Sequence, residues 1–341
     1  MMRLSTTLAR GFAGLACLAA SGAFAEGVVN VYTNREPGQY SATLDEFTKA
    51  TGIKVNAIFS EQGLAERIAA EGDKSPADVL ITVDIGRLQQ AVDLGVAQPI
   101  RSEIVAAAVP ANLRDDQGLW TALSMRARTI YTAVDRVKDT ALTYESLADP
   151  KWKGKVCTRS FQHPYNIGLT AAMLVKHGEA QTKSWLEGVK ANLAKKPSGG
   201  DRDVAKDIAA GICDVGLGNS YYVGLMANGK NPDQQAWAKA IRPVLPTFEG
   251  GGTHINVSGA VVAKHAPHRD NAIKLIEYMV SPGAQHVFAD VNYEYPVRAG
   301  VPVNGLISSF GELKPDLMSV SDVARARKRA SELVDEVGFD R

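Results

Sequence analysis

The sequence predicts an α/β fold built as two lobes. Short apolar strand patterns alternate with amphipathic helical patterns, which indicates βαβ units and parallel sheet. The alternation restarts after Tyr131, so there are two such regions. A length of 341 residues also favours two cores over one.

Residues 28–32 (VVNVY) carry the pattern of a short buried strand. Pro37 and Gly38 break the loop behind it. Leu44, Phe47 and Thr48 fall at helical spacing, and Gly52 stands where a helix C-terminus favours glycine. A strand is expected over 53–59, a helix over 64–70, a strand over 79–83 and a helix over 87–94. In the second region a strand is expected over 154–158, helices over 168–177 and 203–210, and a strand over 215–218. A glycine-rich turn at 250–252 precedes a strand over 257–263. Helices follow over 271–279, with Asp270 as N-cap, and over 284–289. The last helix, 320–337, is amphipathic and charged. No repeat and no long polar linker divides the chain.

The charge balance, 38 Lys and Arg against 37 Asp and Glu, does not support nucleic-acid binding. Residues 1–25 read as an export signal: Arg3 and Arg10 start it, 11–20 are small and apolar, and Ala23-Phe24-Ala25 fits a cleavage site after Ala25. A lipoprotein anchor at Cys17 is the rival, but Gly14 occupies the position where such signals usually carry Leu. Loss of that segment takes two positive charges from a net +1 and leaves −1. The mature chain is expected outside the cytoplasm, in a periplasm. Two cysteines, Cys157 and Cys213, then remain. An oxidising compartment favours their pairing, against the alternative of two buried thiols.

Enzyme signatures are missing. There is no GxSxG, HExxH or P-loop, and no glycine fingerprint follows the first strand. The six His lack ligand spacing. His265 and His268 read as a surface loop, and His254 as a packing or hydrogen-bonding residue. Cys157 with His163 is the one nucleophile pairing on offer, set against a disulfide half beside a loop His.

The most unusual local feature is Asn219-Ser220-Tyr221-Tyr222, between a strand end and an apolar, helix-like run. Ligands in α/β folds bind at carboxyl ends of strands. Two adjacent tyrosines would face one site only if a strand-to-helix turn lies there. Tyr165 also follows a strand, and Arg35 and the Arg126/Arg128 pair sit in what read as cleft loops. Taken singly, each could equally be a packing aromatic or a solvated charge.

Several segments, in their joint order, are specific. They are Thr51-Gly52-Ile53-Lys54-Val55, Ser75-Pro76-Ala77-Asp78-Val79-Leu80, Ala148-Asp149-Pro150-Lys151-Trp152-Lys153-Gly154, Asn219-Ser220-Tyr221-Tyr222, Gly252-Thr253-His254-Ile255-Asn256-Val257-Ser258-Gly259 and Asn292-Tyr293-Glu294-Tyr295-Pro296. With them the chain resembles the periplasmic ferric-iron-binding proteins of bacterial ABC importers over nearly its whole mature length. The resemblance implies a two-lobe periplasmic solute-binding fold (Venus-flytrap, type II) with a ligand cleft. Lobe 1 would comprise 26–127 plus 257–296, and lobe 2 would comprise 128–256 plus 297–341.

The resemblance also implies a site. Tyr221 and Tyr222 fall on the family's paired iron ligands, and Tyr165 on a third tyrosine used by one subgroup. Phenolate oxygen suits Fe³⁺, a hard cation, but free Tyr has a pKa of about 10, so the metal must drive deprotonation. Arg35 and Arg126 fall where an arginine-bearing subgroup holds a synergistic anion such as carbonate, for which a guanidinium fork is suited. Glu36 and Pro37 occupy positions where many relatives have His or His-Tyr; Glu36 is a further candidate ligand and Pro37 is not. Val83 stands near another subgroup's acidic ligand, and Leu225 where some relatives have Arg. The implied partners are an inner-membrane permease and its ATPase, with the protein monomeric and not an enzyme. The alternatives are a clamp for an organic or phosphonate anion and a secreted Cys157-dependent enzyme.

Overall fold

The computed structural model describes residues 27–341; the export segment and its cut after Ala25 lie outside the described residues. The chain opens with β1 (Val28–Thr33), α1 (Ser41–Thr51), β2 (Lys54–Phe59), α2 (Leu64–Glu71), β3 (Val79–Thr82) and α3 (Ile85–Asp93). Gly52 caps α1 in the left-handed conformation, φ 75°. β4 (Ala97–Gln98), α4 (Glu103–Ala108) and β5 (Thr121–Ala133) follow. Next come β6 (Val156–Cys157), α5 (Pro164–Ala191), α6 (Asp201–Ala209), β7 (Val215–Asn219), α7 (Ser220–Asn228), α8 (Pro232–Ala240) and β8 (Ile241–Val244). β9 (Ile255–Ala263), α9 (Arg269–Met279), α10 (Pro282–Asn292), α11 (Gly305–Ser308) and α12 (Val320–Val337) complete the chain.

The strand order is β2-β1-β3-β9-β5-β7-β6, with β4 on β9 and β8 on β5. β1 lies parallel to both β2 and β3, so the helices between them are crossovers. β5 joins the two halves. It runs antiparallel to β9 over Thr121–Ala127, then to β7 over Arg128–Thr132. One core buries Val31, Phe47, Leu80, Leu88 and Val261. The other buries Ile130, Val156, Leu186, Leu217 and Phe339. α12 belongs to both, with Val320 and Ala324 in the first core and Val323, Ala330 and Leu333 in the second.

Four local expectations need correction. β5 was not anticipated, and Arg126 and Arg128 lie on it rather than in a loop. All its residues except Met125 are buried, so it lacks the alternation that marks a half-exposed strand. The strand expected over 154–158 shrinks to Val156–Cys157. The helix expected over 168–177 starts at Pro164 and reaches Ala191 past a break at Gly178 (φ 76°, ψ 177°). Asp270 is not the cap of α9. His268 holds that position, and Asp270 sits in the first turn, where a carboxylate favours the positive helix end.

Cys157 and Cys213 are bonded, Cα to Cα 5.9 Å, linking β6 to the loop just before its neighbour β7. Closing 56 residues contributes about 4 kcal/mol in the chain-entropy account. The bond also removes the thiol that a Cys157 nucleophile would need. No helix among the described residues is long and apolar enough to cross a membrane.

Candidate functional site

β7 ends at Asn219, which is extended (φ −79°, ψ 142°), and α7 begins at the next residue. Tyr221 and Tyr222 therefore stand in a first helical turn, where neighbours fan out side by side rather than to opposite faces. Their ring centroids are 4.2 Å apart at 33°. Gly218 is required just before them: a Cβ there would meet the Tyr131 ring at 2.1 Å. The Tyr131 hydroxyl in turn donates to the Asn219 carbonyl at 2.6 Å.

Tyr165 comes from the first turn of α5. His163 is the N-cap, its Nδ1 accepting the Tyr165 N–H at 3.2 Å, and Pro164 fills the first helical position. Burial, helped by Arg159, pushes the His163 pKa down to about 3, which keeps Nδ1 an acceptor. The Tyr165 and Tyr221 hydroxyls are 3.3 Å apart.

Guanidinium groups surround these phenols. The Cζ atoms of Arg126, Arg128 and Arg159 lie 5.7, 6.0 and 5.3 Å from the Tyr165 ring centre. Arg202 Cζ lies 4.8 Å from that of Tyr222. Asp201, fully buried, neutralises part of this charge. It accepts from Arg128 Nη1 at 2.6 Å, from Arg159 Nη1 at 3.3 Å and from the Asn219 N–H at 2.8 Å. Burial alone would raise its pKa, but the two arginines and these hydrogen bonds hold it below the ordinary carboxylate value.

Arg126 has no acid partner among the described residues. It is 1% exposed; Nη1 donates to Ser258 Oγ at 2.9 Å, while Nε and Nη2 have no partner. A buried guanidinium in that state is costly, and an anion is what would satisfy it.

Tyr165, Tyr221, Tyr222, Arg126 and Arg202 line one cavity of about 100 Å³ together with Asn34, Glu36, Gln39, Val83 and Glu294. Burial first, then the Tyr165 phenol, raises the pKa of Tyr221 and of Tyr222 well above that of free tyrosine. Both are neutral hydroxyls in the free protein. Among the described residues, no three His, Cys, Asp or Glu side chains converge as metal ligands would. The oxygen donors on this cavity are the three phenols and the carboxylates of Glu36 and Glu294.

The structure thus brings together Tyr165, Tyr221, Tyr222, Arg126 and Glu36. It separates Arg35 from them. Arg35 is buried behind the wall, Nη2 on Glu294 Oε2 at 2.7 Å and Nη1 3.4 Å from Ser124 Oγ. Its charge is matched there, and Glu294 is the member of the pair that faces the cavity. Sequence reasoning missed Glu294 and Arg202. Arg35 and Glu294 are 259 positions apart, so no local pattern joins them. A second cavity of about 520 Å³ shares Asn34 and continues past Gln62, Arg87 and Pro164.

Residues 34–286 match the family model described as bacterial extracellular solute-binding protein. The chain is similar to iron uptake protein A1 of Synechocystis sp., 43% identical across 91% of this chain and 87% of that protein. Among solved structures it is similar to the Bordetella ferric binding protein, 56% identical with a TM-score of 0.88, covering 92% of this chain and 100% of that one. A Trichodesmium protein described in complex with iron and citrate is 43% identical, also with a TM-score of 0.88, over 92% and 100%. The fold is accordingly the type II two-lobe clamp, and the chain belongs to the bacterial extracellular solute-binding protein family.

Proposed function

We propose that the protein captures ferric iron outside the cytoplasm and hands it to an ABC permease with a cytoplasmic ATPase. The observation that carries this reading is the convergence of three phenols, with the Tyr165 and Tyr221 hydroxyls 3.3 Å apart on one cavity. Three tyrosinates would balance the three charges of Fe³⁺. Tyr165 and the Tyr221/Tyr222 pair stand at the N-terminal turns of α5 and α7, whose positive ends favour the anionic phenolates. The ion would displace up to three protons, one from each phenol, including the one shared by Tyr165 and Tyr221. A carbonate-like anion on the free Nε and Nη2 of Arg126 would complete the coordination, with Glu36 as a further donor from the facing wall. Chain crossings near 127, 256 and 296 would let the lobes close over the ion, in a monomer of the periplasm. The iron-uptake and ferric-binding names of the relatives support the same cargo.

The test is a visible absorption titration of metal-stripped protein with ferric ion from a weak chelate, with and without bicarbonate. A red-orange band saturating at one iron per protein is expected. Because the phenols are protonated in the free protein, affinity should fall as pH falls. Tyr222→Phe should cost more than about 100-fold in affinity, beyond the range of outer-shell changes, with the fold intact. Unchanged affinity in that variant would sink the assignment. The 520 Å³ cavity beside the phenols favours one second reading, an organic-anion clamp in which the tyrosines are walls. A folded protein with no band would favour it.

A further inference from the structure

One largely buried ion pair ties the two cores together beside the cavity. Arg327, on α12, places Nη2 3.2 Å from Asp84 Oδ1, with the two side chains 15% and 2% exposed. Its Nη1 donates to the Pro164 carbonyl at 3.1 Å. The two acceptors hold telling positions. Asp84 follows Val83, a residue of the cavity wall, and caps α3 in the first core. Pro164 precedes Tyr165 in the second. Asp84 is also anchored to β9, its Oδ2 accepting from Asn256 Nδ2 at 2.7 Å.

The surroundings are shaped for this guanidinium. Gly86 leaves the space it fills: a Cβ there would lie 2.2 Å from Arg327 Nε. Gly168 does the same from α5, where a Cβ would lie 3.3 Å from Arg327 Nη1. A planar fork can hold two acceptors at a set separation; a lysine ammonium cannot.

We propose that Arg327 is a positioning residue: it couples the Val83–Asp84 wall to the turn bearing Tyr165, so that the lobes open, and iron leaves, only when this tie breaks. The inference rests on the ferric reading of the site. Arg327 touches neither the phenols nor the anion position. It acts through Asp84 and Pro164.

Gly86→Ala is the decisive variant. Alanine is the better helix former, so α3 should fold at least as well. The new Cβ presses on the far end of Arg327 and moves the fork while every charge stays in place. Release of iron to a competing chelator should be at least about 10-fold faster, the scale of outer-shell changes, with the melting temperature kept and the visible band unmoved. Arg327→Lys should act in the same direction. Small-angle scattering of the metal-free protein supplies a readout independent of iron: Gly86→Ala and Arg327→Lys should both have a larger radius of gyration than the parent. Parental release rates and radii in both variants would overturn the proposal. If the parent protein shows no visible band, the ferric reading fails, and the scattering comparison still decides the coupling.

Discussion

The tyrosine-bearing wall of the cavity and the wall facing it differ in how firmly they are held. Tyr165 follows a capped helix start whose Asn166 side chain bonds Arg128, Thr158 and two backbone carbonyls. Tyr221 and Tyr222 follow Asn219, which is pinned by Arg128, Asp201 and Tyr131. The facing wall is mixed. Glu294 is held by Arg35, and Asn34 Oδ1 accepts the Val83 N–H at 3.1 Å, but Glu36 is exposed and its side chain caps nothing. One wall is preorganised and the other is adaptable at Glu36. Under the proposed function the ion lands first on the tyrosines, and the facing wall decides what completes the shell.

The largest effect on this contrast should come from Asp201→Asn. It leaves the buried Arg128 and the half-buried Arg159 with no counter-charge, which costs about 3–5 kcal/mol in chemical denaturation. The sign with pH follows from the lowered pKa of Asp201. Its stabilisation is full above the unfolded carboxylate value and is lost as pH falls through the lower folded value. The gap between parent and variant should therefore shrink below about pH 4. A variant as stable as its parent at pH 7 would mean that the tyrosine wall is not held by this network.

Arg126→Gln should be next. It removes a fully buried guanidinium on the cavity whose Nε and Nη2 have no partner, and keeps an amide to satisfy Ser258. Iron affinity should fall about 10–100-fold, and the bicarbonate dependence should vanish with it. Bicarbonate dependence that survives in this variant would assign the anion elsewhere, with Arg202 the other guanidinium on the wall.

The tyrosine wall was also the more legible in the sequence. The strand-to-helix junction at 218–220 could be read from an apolar run ending in Leu217-Gly218, and it alone decides whether Tyr221 and Tyr222 share a site. The α/β order of the first half was readable for a similar reason, since its strands and helices are local patterns of matching period. β5 was not, because a strand buried on both faces and carrying two arginines matches no single period. The Arg35–Glu294 pair was equally hidden, because contacts made by chain crossings leave no spacing to count. The resemblance singled out Arg126 together with Arg35, and only the structure distinguishes the partly unpaired guanidinium of Arg126 from the matched one of Arg35.

Glu36→Gln should have the smallest effect, and the conditions under which it grows are informative. An exposed Glu36 must give up its hydration and its rotamer freedom to reach an ion, a cost of about 1.5–2 kcal/mol for the side-chain ordering alone. Under the proposed function three tyrosinates already balance the ion's charge, so a carboxylate as fourth anionic ligand competes with the anion on Arg126 rather than adding to it. With bicarbonate present, Glu36→Gln should change affinity by less than about fivefold, the scale of an exposed charge. Without bicarbonate the anion position is open and Glu36 becomes the nearest oxygen donor with a negative charge and no ion-pair partner on the facing wall, because Glu294 is held by Arg35. The penalty of the substitution should then increase. An equal penalty in both conditions would make Glu36 a standing ligand, and the facing wall would be as preorganised as the tyrosine wall.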